Sequence, residues 1–477
     1  MKSHPLFTVF VTAGFGLMLA ACEVGPDYQQ PDAPLPEGWV SAPDATDAKT
    51  EIDQKWWTNF NDPVLTGLID KAAANNLDLK VAEARIAEAR AGVSAATAAF
   101  LPQGDLKGTA TREANQLALP DANATGLGNL LHKPFNIYQT GFDASWELDL
   151  FGGNRRAEES AEAEMQASEA TRDDVLVSLM AEVARTYVDI RRANAKLDVA
   201  ENIVAADKKT LDIAKQRFDV GQAPRLDVVN AEAELQRVET QIPDIRNMAA
   251  QAEYQMDVLL GEQPGAAHRL VGAPTPIPTS DKKLVLAAPA SVIAQRPDIR
   301  VAERKLAAAT AQQGVAVAKF FPDISLTGFF GALNTSVSNL VTPANQSWMA
   351  GGSVLWPILS YGTLSANLDK ANAGQQEAMA TYQKSILSAL SDVERSLNAY
   401  TEQEKFLLAT TNQVAEDQHA TNIARQRYKE GMTSFQEVLD AERTLYTAQN
   451  NLAEARANET QDLIAVYKSL GGGWVKR

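Results

Sequence analysis

The chain is poor in the residues that build disulfide frameworks and most metal sites. It has one cysteine, Cys22, and four histidines that lie far apart, at positions 4, 132, 268 and 419. A disulfide framework needs paired cysteines, and a zinc site needs closely spaced thiol or imidazole ligands. The sequence therefore predicts neither, and we expect no bound metal or cofactor.

Basic residues are also in the minority. The chain has 44 Lys and Arg against 60 Asp and Glu, a net charge of −16, whereas proteins that hold phosphate backbones need a basic surface. The chain contains no P-loop, no His-Glu-x-x-His, no Gly-x-Ser-x-Gly and no strand-linked Gly-x-Gly-x-x-Gly pattern, the short motifs that mark common active sites. The sequence argues against a nucleic-acid partner and predicts that the chain is not an enzyme.

Long hydrophobic runs are confined to the N-terminus. Lys2 precedes an apolar run from Phe7 to Leu19, and the segment closes with Leu19-Ala20-Ala21-Cys22. It is too short for a membrane span and ends in small residues, as secretory signal peptides do. Only helices and closed β-structures span lipid. Because long apolar runs are confined to the N-terminus, any other membrane crossing would use β-strands.

Cys22 stands where bacterial lipoproteins carry their lipidated cysteine. Leu-Ala-Ala-Cys resembles the lipobox, which implies cleavage before Cys22 and covalent lipid on that residue, and Glu23 in the next position implies the outer membrane. Several acyl chains make a lasting anchor, because each buried methylene contributes about 0.8 kcal/mol. The alternative is that Cys22 is an incidental thiol.

The sequence is duplicated. Phe100-Leu101-Pro102 recurs as Phe320-Phe321-Pro322, and Trp146 recurs as Trp356, 210 positions later. We expect each repeat to contain a helix, a β-hairpin, a long helix, a helical hairpin at the tip and a returning helix. The predicted organisation is a signal peptide (1–21), an N-terminal lipidated segment (22–62), a first repeat (63–260), a Pro-rich connector (261–289), a second repeat (290–470) and a C-terminal tail (471–477).

Long helices are predicted by apolar residues that recur every seven positions. The pattern runs from Leu176 to Phe218 and again from Ile386 to Tyr428, with few exceptions, and a sustained seven-residue period is typical of supercoiled helices. An unbroken helix over 154–218 would be about 95 Å long. Gly221 and Gly431 follow these helices as C-terminal capping glycines do, so each repeat should end in a tight helical hairpin.

Strands are predicted by alternation of apolar and polar residues. Over 138–150 the even positions are mostly apolar, segments 324–330 and 348–356 alternate similarly, and 106–111 is the weakest of the four. These lengths suit tilted transmembrane strands, although a soluble amphipathic hairpin shows the same alternation. Four strands cannot close a barrel in lipid, and heptad helices need neighbours, so the pattern predicts a ring of several chains with a lumen.

Together these motifs resemble the outer-membrane factors of the TolC and OprM type, and within them the lipoprotein branch labelled NodT. The resemblance is carried by the lipobox and by Trp56-Trp57, Asp62-Pro63-Val64-Leu65, Ala82-Glu83-Ala84-Arg85, Trp146-Glu147-Leu148-Asp149-Leu150-Phe151-Gly152, Gln295-Arg296-Pro297-Asp298, Arg427-Tyr428 with Gly431, and Val438-Leu439-Asp440-Ala441.

The resemblance implies a mainly α fold with a membrane β-barrel. A homotrimer would form a twelve-strand outer-membrane barrel, with four strands per chain, that continues into a long periplasmic α-helical barrel. The extended N-terminal segment, the connector and the C-terminal tail would surround it. The resemblance also implies a passive, gated exit duct of a tripartite efflux pump for drugs or other toxic compounds. Its partners would be a periplasmic adaptor and an inner-membrane pump, often of the RND class.

Acidic residues at the second tip are candidates for a gate. Ser434-Phe-Gln-Glu437 has the capping-box pattern, which would explain Glu437 alone, whereas Asp440 lies one turn further on the same face. In a trimer the two would form a ring of six carboxylates, and such rings select cations. The alternative is capping and a favourable helix dipole alone.

By resemblance, Asp227 and Tyr428 belong to the same gate. Thr433 stands where TolC has an arginine, and Arg225 is a candidate substitute, although a solvated helix start would also explain Arg225 and Asp227. Gly221 and Gly431 would mark the surface that docks the adaptor.

Two other functions fit parts of the sequence. A coiled-coil lipoprotein strut without a pore would explain the lipobox and the heptads, but not the four alternating segments. Type I protein secretion uses the same fold, and only the partner pump distinguishes it from drug efflux.

Overall fold

The computed structural model describes residues 23–32, 34–41, 47–48, 54–113, 134–280 and 284–474. The predicted signal peptide and Cys22 lie outside these residues. The helices are α1 (Pro63–Asn75), α2 (Leu77–Ala98), α3 (Gly153–Asp219), α4 (Arg225–Glu239), α5 (Ile242–Leu259), α6 (Ala266–Val271), α7 (Pro289–Gln295), α8 (Pro297–Ala318), α9 (Tyr361–Lys429) and α10 (Phe435–Ser469). The strands are β1 (Asp47–Ala48), β2 (Gln103–Glu113), β3 (Phe135–Leu148), β4 (Val285–Leu286), β5 (Asp323–Asn334) and β6 (Gln346–Leu355).

The chain divides into two compact units. The first comprises the described parts of Met1–Pro31, Ala87–Gln166 and Glu303–Ala380, and it contains the large sheet. The second comprises the described parts of Asp32–Ile86, Ala167–Ala302 and Thr381–Arg477, and it contains both helical hairpins.

The sheet of the first unit is antiparallel, with strand order β2-β3-β5-β6. The register places Leu106 opposite Phe142, Phe142 opposite Phe330, and Phe330 opposite Trp348. All four side chains are exposed, so one face carries a continuous apolar row. The predicted alternation is confirmed, and β2, the weakest of the four signals, is a full strand of 11 residues.

One strand end differs from the sequence prediction. β3 ends at Leu148, two residues before the predicted end at Leu150, because the Leu150 N–H turns back to the Leu148 carbonyl at 2.8 Å. Among the described helices, none has an apolar stretch of the length that a membrane span requires.

The two long helices are continuous. α3 has 67 residues and α9 has 69, and the seven-residue ladder forms much of their packed surface. Val183, Ile190 and Val393 are fully buried. The two ladders end differently, because Phe218 is 42% exposed whereas its counterpart Tyr428 is 4% exposed.

A buried arginine fixes the connector to α3. Arg191 Nε donates to the Tyr187 hydroxyl at 2.9 Å, and its two terminal nitrogens donate to the carbonyls of Ala273 and Val271 at 3.0 and 3.2 Å. The Tyr187 hydroxyl donates in turn to the Asp62 carboxylate at 2.6 Å. This network joins the N-terminal segment, α3 and the described part of the connector.

The returning helix of the first repeat is broken, whereas the sequence prediction had one helix. α4 ends at Glu239, and α5 begins at Ile242 with Pro243 at its second position. Proline lacks the N–H that a continuous helix would use, but it is tolerated in a first turn. The second repeat has no proline there, and α10 continues for 35 residues.

Candidate functional site

Each helical hairpin turns at a glycine in the left-handed region. Gly221 has φ 75° and Gly431 has φ 77°. The Gly221 N–H bonds to the Phe218 carbonyl and the Gln222 N–H to the Arg217 carbonyl, at 2.9 and 2.8 Å, which is the Schellman pattern. The same pair of bonds recurs at the second tip, so both predicted helix-ending glycines are confirmed. Their role in docking an adaptor stays a prediction.

The tips are joined by a tyrosine and an aspartate from different repeats. The hydroxyl of Tyr428, at the end of α9, donates to Asp227 Oδ2, in the first turn of α4, at 3.0 Å. Burial and the neighbouring Asp227 carboxylate raise the pKa of Tyr428 to about 12, so the hydroxyl keeps its proton at physiological pH. The structure thus brings together two of the predicted gate residues.

Arg217, which no sequence pattern marks, completes this contact. Its guanidinium lies 4.5 Å from the centroid of the Tyr428 ring and donates to the Tyr428 carbonyl. A second nitrogen donates to the Gln222 carbonyl at 3.3 Å. Cations over aromatic faces are attracted by the ring quadrupole, so Arg217 holds the end of α3 against the end of α9.

Arg225, the arginine that the sequence offered for this role, is exposed at the first position of α4. Among the described residues it has no hydrogen-bond or ion-pair partner. Its role at a gate stays a prediction, and the tip arginine that does cross between helices is Arg217.

Glu437 and Asp440 are both exposed, whereas Val438 and Leu439 between them are buried in the core of the hairpins. The acids therefore point away from that core. Ser434 Oγ accepts the Glu437 N–H at 3.4 Å, so Ser434 caps α10 as predicted.

The second half of the capping box differs from the prediction. The Glu437 carboxylate accepts a hydrogen bond from the Thr433 hydroxyl instead of the Ser434 N–H. Asp440 Oδ1 accepts from Gln436 Nε2 at 2.9 Å. The carboxylate half of the predicted capping box is therefore not formed, and both carboxylates are exposed at the tip.

The residues that follow Cys22 are held against a nearly buried arginine. Arg156, which is 4% exposed, forms ion pairs with Glu23 at 3.2 Å, Asp27 at 2.6 Å and Glu159 at 2.7 Å. The Val24 N–H also donates to the Phe151 carbonyl at 3.2 Å. We call Glu23–Asp27 the N-terminal strap. The strap lies beside the segment that connects the end of β3 to the start of α3.

Two glycines allow the strap to approach so closely. A Cβ on Gly25 would lie 2.5 Å from the Cα of Gly314, and a Cβ on Gly152 would lie 2.8 Å from the Glu23 side chain. These glycines are needed because backbone and side chain occupy the space that a larger residue would fill.

The outer membrane efflux protein family model matches residues 68–262 and 288–472. The chain therefore belongs to this family and is an outer-membrane efflux protein, and the predicted resemblance is confirmed. That the match falls in two segments agrees with the duplication. The prediction that the chain is not an enzyme agrees with membership of a family of efflux components.

Relatives of known name match almost the whole chain, and two of them illustrate the range. Nodulation protein T of Rhizobium leguminosarum bv. trifolii is 32% identical over 473 residues, which cover 98% of each chain. The toluene efflux pump outer membrane protein TtgF of Pseudomonas putida is 31% identical over 490 residues, 99% of this chain and 98% of the relative. The fold is similar to that of the outer-membrane channel OprN, with a TM-score of 0.87, 32% identity and coverage of 95% of this chain and 100% of that one.

Proposed function

We propose that the chain is the channel subunit of a tripartite efflux pump and works as a passive, gated exit duct for small toxic compounds. The observation that carries this proposal is the similarity to the outer-membrane channel OprN over 95% of the chain. A toluene efflux component among the relatives supports small apolar compounds as cargo. The energy for transport would come from an inner-membrane pump, of the RND class, through a periplasmic adaptor docked at the tips marked by Gly221 and Gly431.

The sheet supports a homotrimer. β2 and β6 are its edge strands, and edges of 11 and 10 residues leave rows of backbone N–H and C=O groups unpaired. If β2 of each chain pairs with β6 of the next, three chains close a ring of twelve strands. The exposed row from Leu106 to Trp348 would then face lipid, and the long helices would form a periplasmic tunnel.

The tips support a gate. Tyr428, Asp227 and Arg217 tie the hairpin of the first repeat to that of the second, and the exposed Glu437 and Asp440 would form a ring of six carboxylates in a trimer. A ring of fixed negative charge at a constriction favours cations. TolC has an arginine where this chain has Thr433. In the gate proposed here, Arg217 would provide the link that this arginine provides in TolC.

The N-terminal strap supports a lipid anchor on Cys22. Glu23 is the next residue, and Arg156 holds it beside the end of β3. A cysteine immediately before Glu23 would therefore lie at the level where the strands end, which is the level at which acyl chains can enter the outer membrane. Mass spectrometry of the N-terminal peptide from membrane-extracted protein tests this, and an unmodified Cys22 would contradict it.

The function is tested by single-channel conductance of the purified mature protein in planar bilayers. The native chain is compared with Glu437→Gln/Asp440→Asn, which removes both tip carboxylates but retains similar size. We expect a small, cation-selective native conductance and lower cation selectivity in the variant. The control is Asp212→Asn/Glu416→Gln, which removes two exposed carboxylates on α3 and α9 and should behave as the native chain.

Each other outcome is informative. If the tip variant matches the native chain, the duct remains and the acidic gate is wrong. If folded, inserted protein gives no channel in any form, the duct is wrong and the strut without a pore is the better explanation.

A further inference from the structure

Three carboxylates are buried in a cluster where α3, α4, α9 and α10 pack together. Glu442 is 1% exposed, Glu234 is 2% exposed and Asp207 is 3% exposed. Buried carboxylates are rare unless they are paired or hydrogen-bonded. We call these three residues, together with their partners Thr210, Arg237, Arg425, Arg443 and Tyr446, the buried acid cluster.

The cluster joins the hairpins of the two repeats. Tyr446 on α10 donates its hydroxyl to Asp207 Oδ1 on α3 at 2.7 Å, and Thr210 on α3 donates to Glu442 Oε1 on α10 at 2.8 Å. Arg443 on α10 donates to Glu234 Oε2 on α4 through two nitrogens, at 3.0 and 2.8 Å. α10 is therefore bound to both helices of the first hairpin.

The three carboxylates are not equally compensated. Glu442 pairs with Arg425 at 2.8 Å, and Glu234 pairs with Arg443 and Arg237. Asp207 has a tyrosine, not an arginine, as its hydrogen-bond partner. Asp207 Oδ2 and Glu442 Oε2 are both buried without a hydrogen-bond partner within the described structure, but Glu442 has the ion pair with Arg425 and Asp207 has no ion pair, so a negative charge on Asp207 is poorly satisfied.

The surroundings of Asp207 favour its protonated form. Burial raises the pKa of Asp207 to about 6, the negative charges of Glu442 and Glu234 add to the shift, and the Tyr446 hydroxyl and Arg425 oppose it. Arg237 also faces this carboxyl. Burial raises the pKa of Tyr446, so its hydroxyl remains a donor.

We propose that the buried acid cluster is a second lock on the closed duct, and that Asp207 is the residue that sets its strength. The lock rests on the proposed function and lies apart from the Tyr428 contact. Opening the hairpins would separate α10 from α3 and hydrate Asp207. An ionised Asp207 favours that separation because its charge is then hydrated, and a protonated Asp207 favours the closed packing because it can be buried without that charge.

The sign of the pH effect follows from linkage. In the open state a hydrated Asp207 would have a pKa near the ordinary value of about 3.9, so the closed state binds the proton more tightly. The stabilisation of the closed state is complete below about pH 4 and is lost as pH rises through about 6. A difference of about two pKa units shifts the ratio of closed to open forms by up to about 100-fold per chain.

The test is the pH profile of conductance of the purified protein in planar bilayers from pH 4.5 to 8. We expect the open probability to rise about 10-fold or more, with a midpoint near 6. Asp207→Asn mimics the protonated acid, because its carbonyl still accepts from Tyr446, and it should stay closed at pH 7.5. Asp212→Asn, an exposed aspartate on the same helix, should keep the native profile.

A second variant separates the lock from a purely structural role. Tyr446→Phe removes the donor that stabilises ionised Asp207, so the midpoint should move to higher pH. The same pH profiles are then measured in chains that also carry Glu437→Gln/Asp440→Asn. In these chains the tip carboxylates cannot contribute to the pH dependence of the conductance.

An Asp207→Asn profile equal to the native one would overturn the lock while leaving the duct intact. A profile that disappears in the tip-variant background would assign the pH effect to the tip instead. Absence of any channel would instead be a failure of the proposed function.

Discussion

The Tyr428 hydroxyl lies 3.0 Å from the Asp227 carboxylate, and this hydrogen bond joins the two halves of a duplicated chain. The equivalent hydrogen bond, from the first repeat to the second, cannot form. The counterpart of Tyr428 in the first repeat is Phe218, which lacks a hydroxyl and is 42% exposed. The two hairpins have therefore diverged, so that one supplies the donor and the other the acceptor.

Tyr428→Phe should loosen the tip. The variant keeps the aromatic ring and its contact with Arg217 but loses a hydrogen bond to a charged acceptor, which contributes about 1.5–3 kcal/mol. We expect a several-fold increase in resting conductance. Tyr400→Phe is the control, because the Tyr400 hydroxyl bonds to Glu404 on the same helix. Equal conductance in both variants would show that the Tyr428 contact does not restrain the tip.

Arg217→Lys should weaken the same contact from the other side. Lysine keeps the charge but cannot reproduce the planar stack and the two carbonyl contacts. We expect a loss of about 0.5–2 kcal/mol at the tip, detected as a higher resting conductance. Arg427, the counterpart in the second repeat, is exposed, so Arg427→Lys should have no effect. If Arg217→Lys has the same resting conductance as Arg427→Lys, a positive charge alone is sufficient at position 217.

Alanine substitutions at two glycines should have opposite signs. Gly221 has φ 75° and open space around its missing Cβ, so Gly221→Ala is expected to cost about 1 kcal/mol through backbone strain alone. Gly92 lies inside α2, also beside open space, where alanine should stabilise by about 0.5–1 kcal/mol. Denaturant midpoints of the detergent-solubilised protein measure both, and a stabilising Gly221→Ala would contradict the left-handed turn.

Arg156→Ala should release the N-terminal strap without unfolding the protein. Arg156 is 4% exposed, but its partners Glu23, Asp27 and Glu159 are 37%, 84% and 40% exposed at the side chain, so solvent screens each pair and its contribution is about 1 kcal/mol or less. We expect limited proteolysis within residues 23–32 to accelerate several-fold, whereas the unfolding midpoint falls modestly, because three screened pairs and the packing of the Arg156 stem on Gly314 are lost. Arg172→Ala, which removes a pair with the adjacent Asp173, is the control. Unchanged proteolysis would mean that Arg156 does not hold the strap.

The architecture was predictable because its signals are local and long. The heptad ladder in α3 and α9 repeats over many turns, and alternation in β3 persists along most of the strand, so single exceptions do not hide the period. Pro243 marks the break between α4 and α5 in the sequence. A proline is tolerated in the first turn of a helix, however, so it does not indicate where the preceding helix ends.

The polar contacts at the tips were harder to predict because they depend on which helix faces meet. Arg217 and Arg427 occupy equivalent places in the two repeats, yet only Arg217 stacks on Tyr428. Asp207 and Tyr446 are 239 positions apart, and no local pattern marks either one. Resemblance to a family located Tyr428 and Asp227, whereas the packing of this chain was needed to find Arg217 and the buried acid cluster.

The unpaired edges of β2 and β6 have a genetic consequence. In the proposed ring each edge is completed by a neighbouring chain, so one defective edge disrupts the seam that it shares with that neighbour and leaves the whole ring open. A cell that makes intact and edge-defective chains in equal amounts would assemble only about one ring in eight from intact chains alone. Mutations that insert charge or proline into β2 or β6 should therefore be dominant, whereas mutations that destroy the whole chain should be recessive.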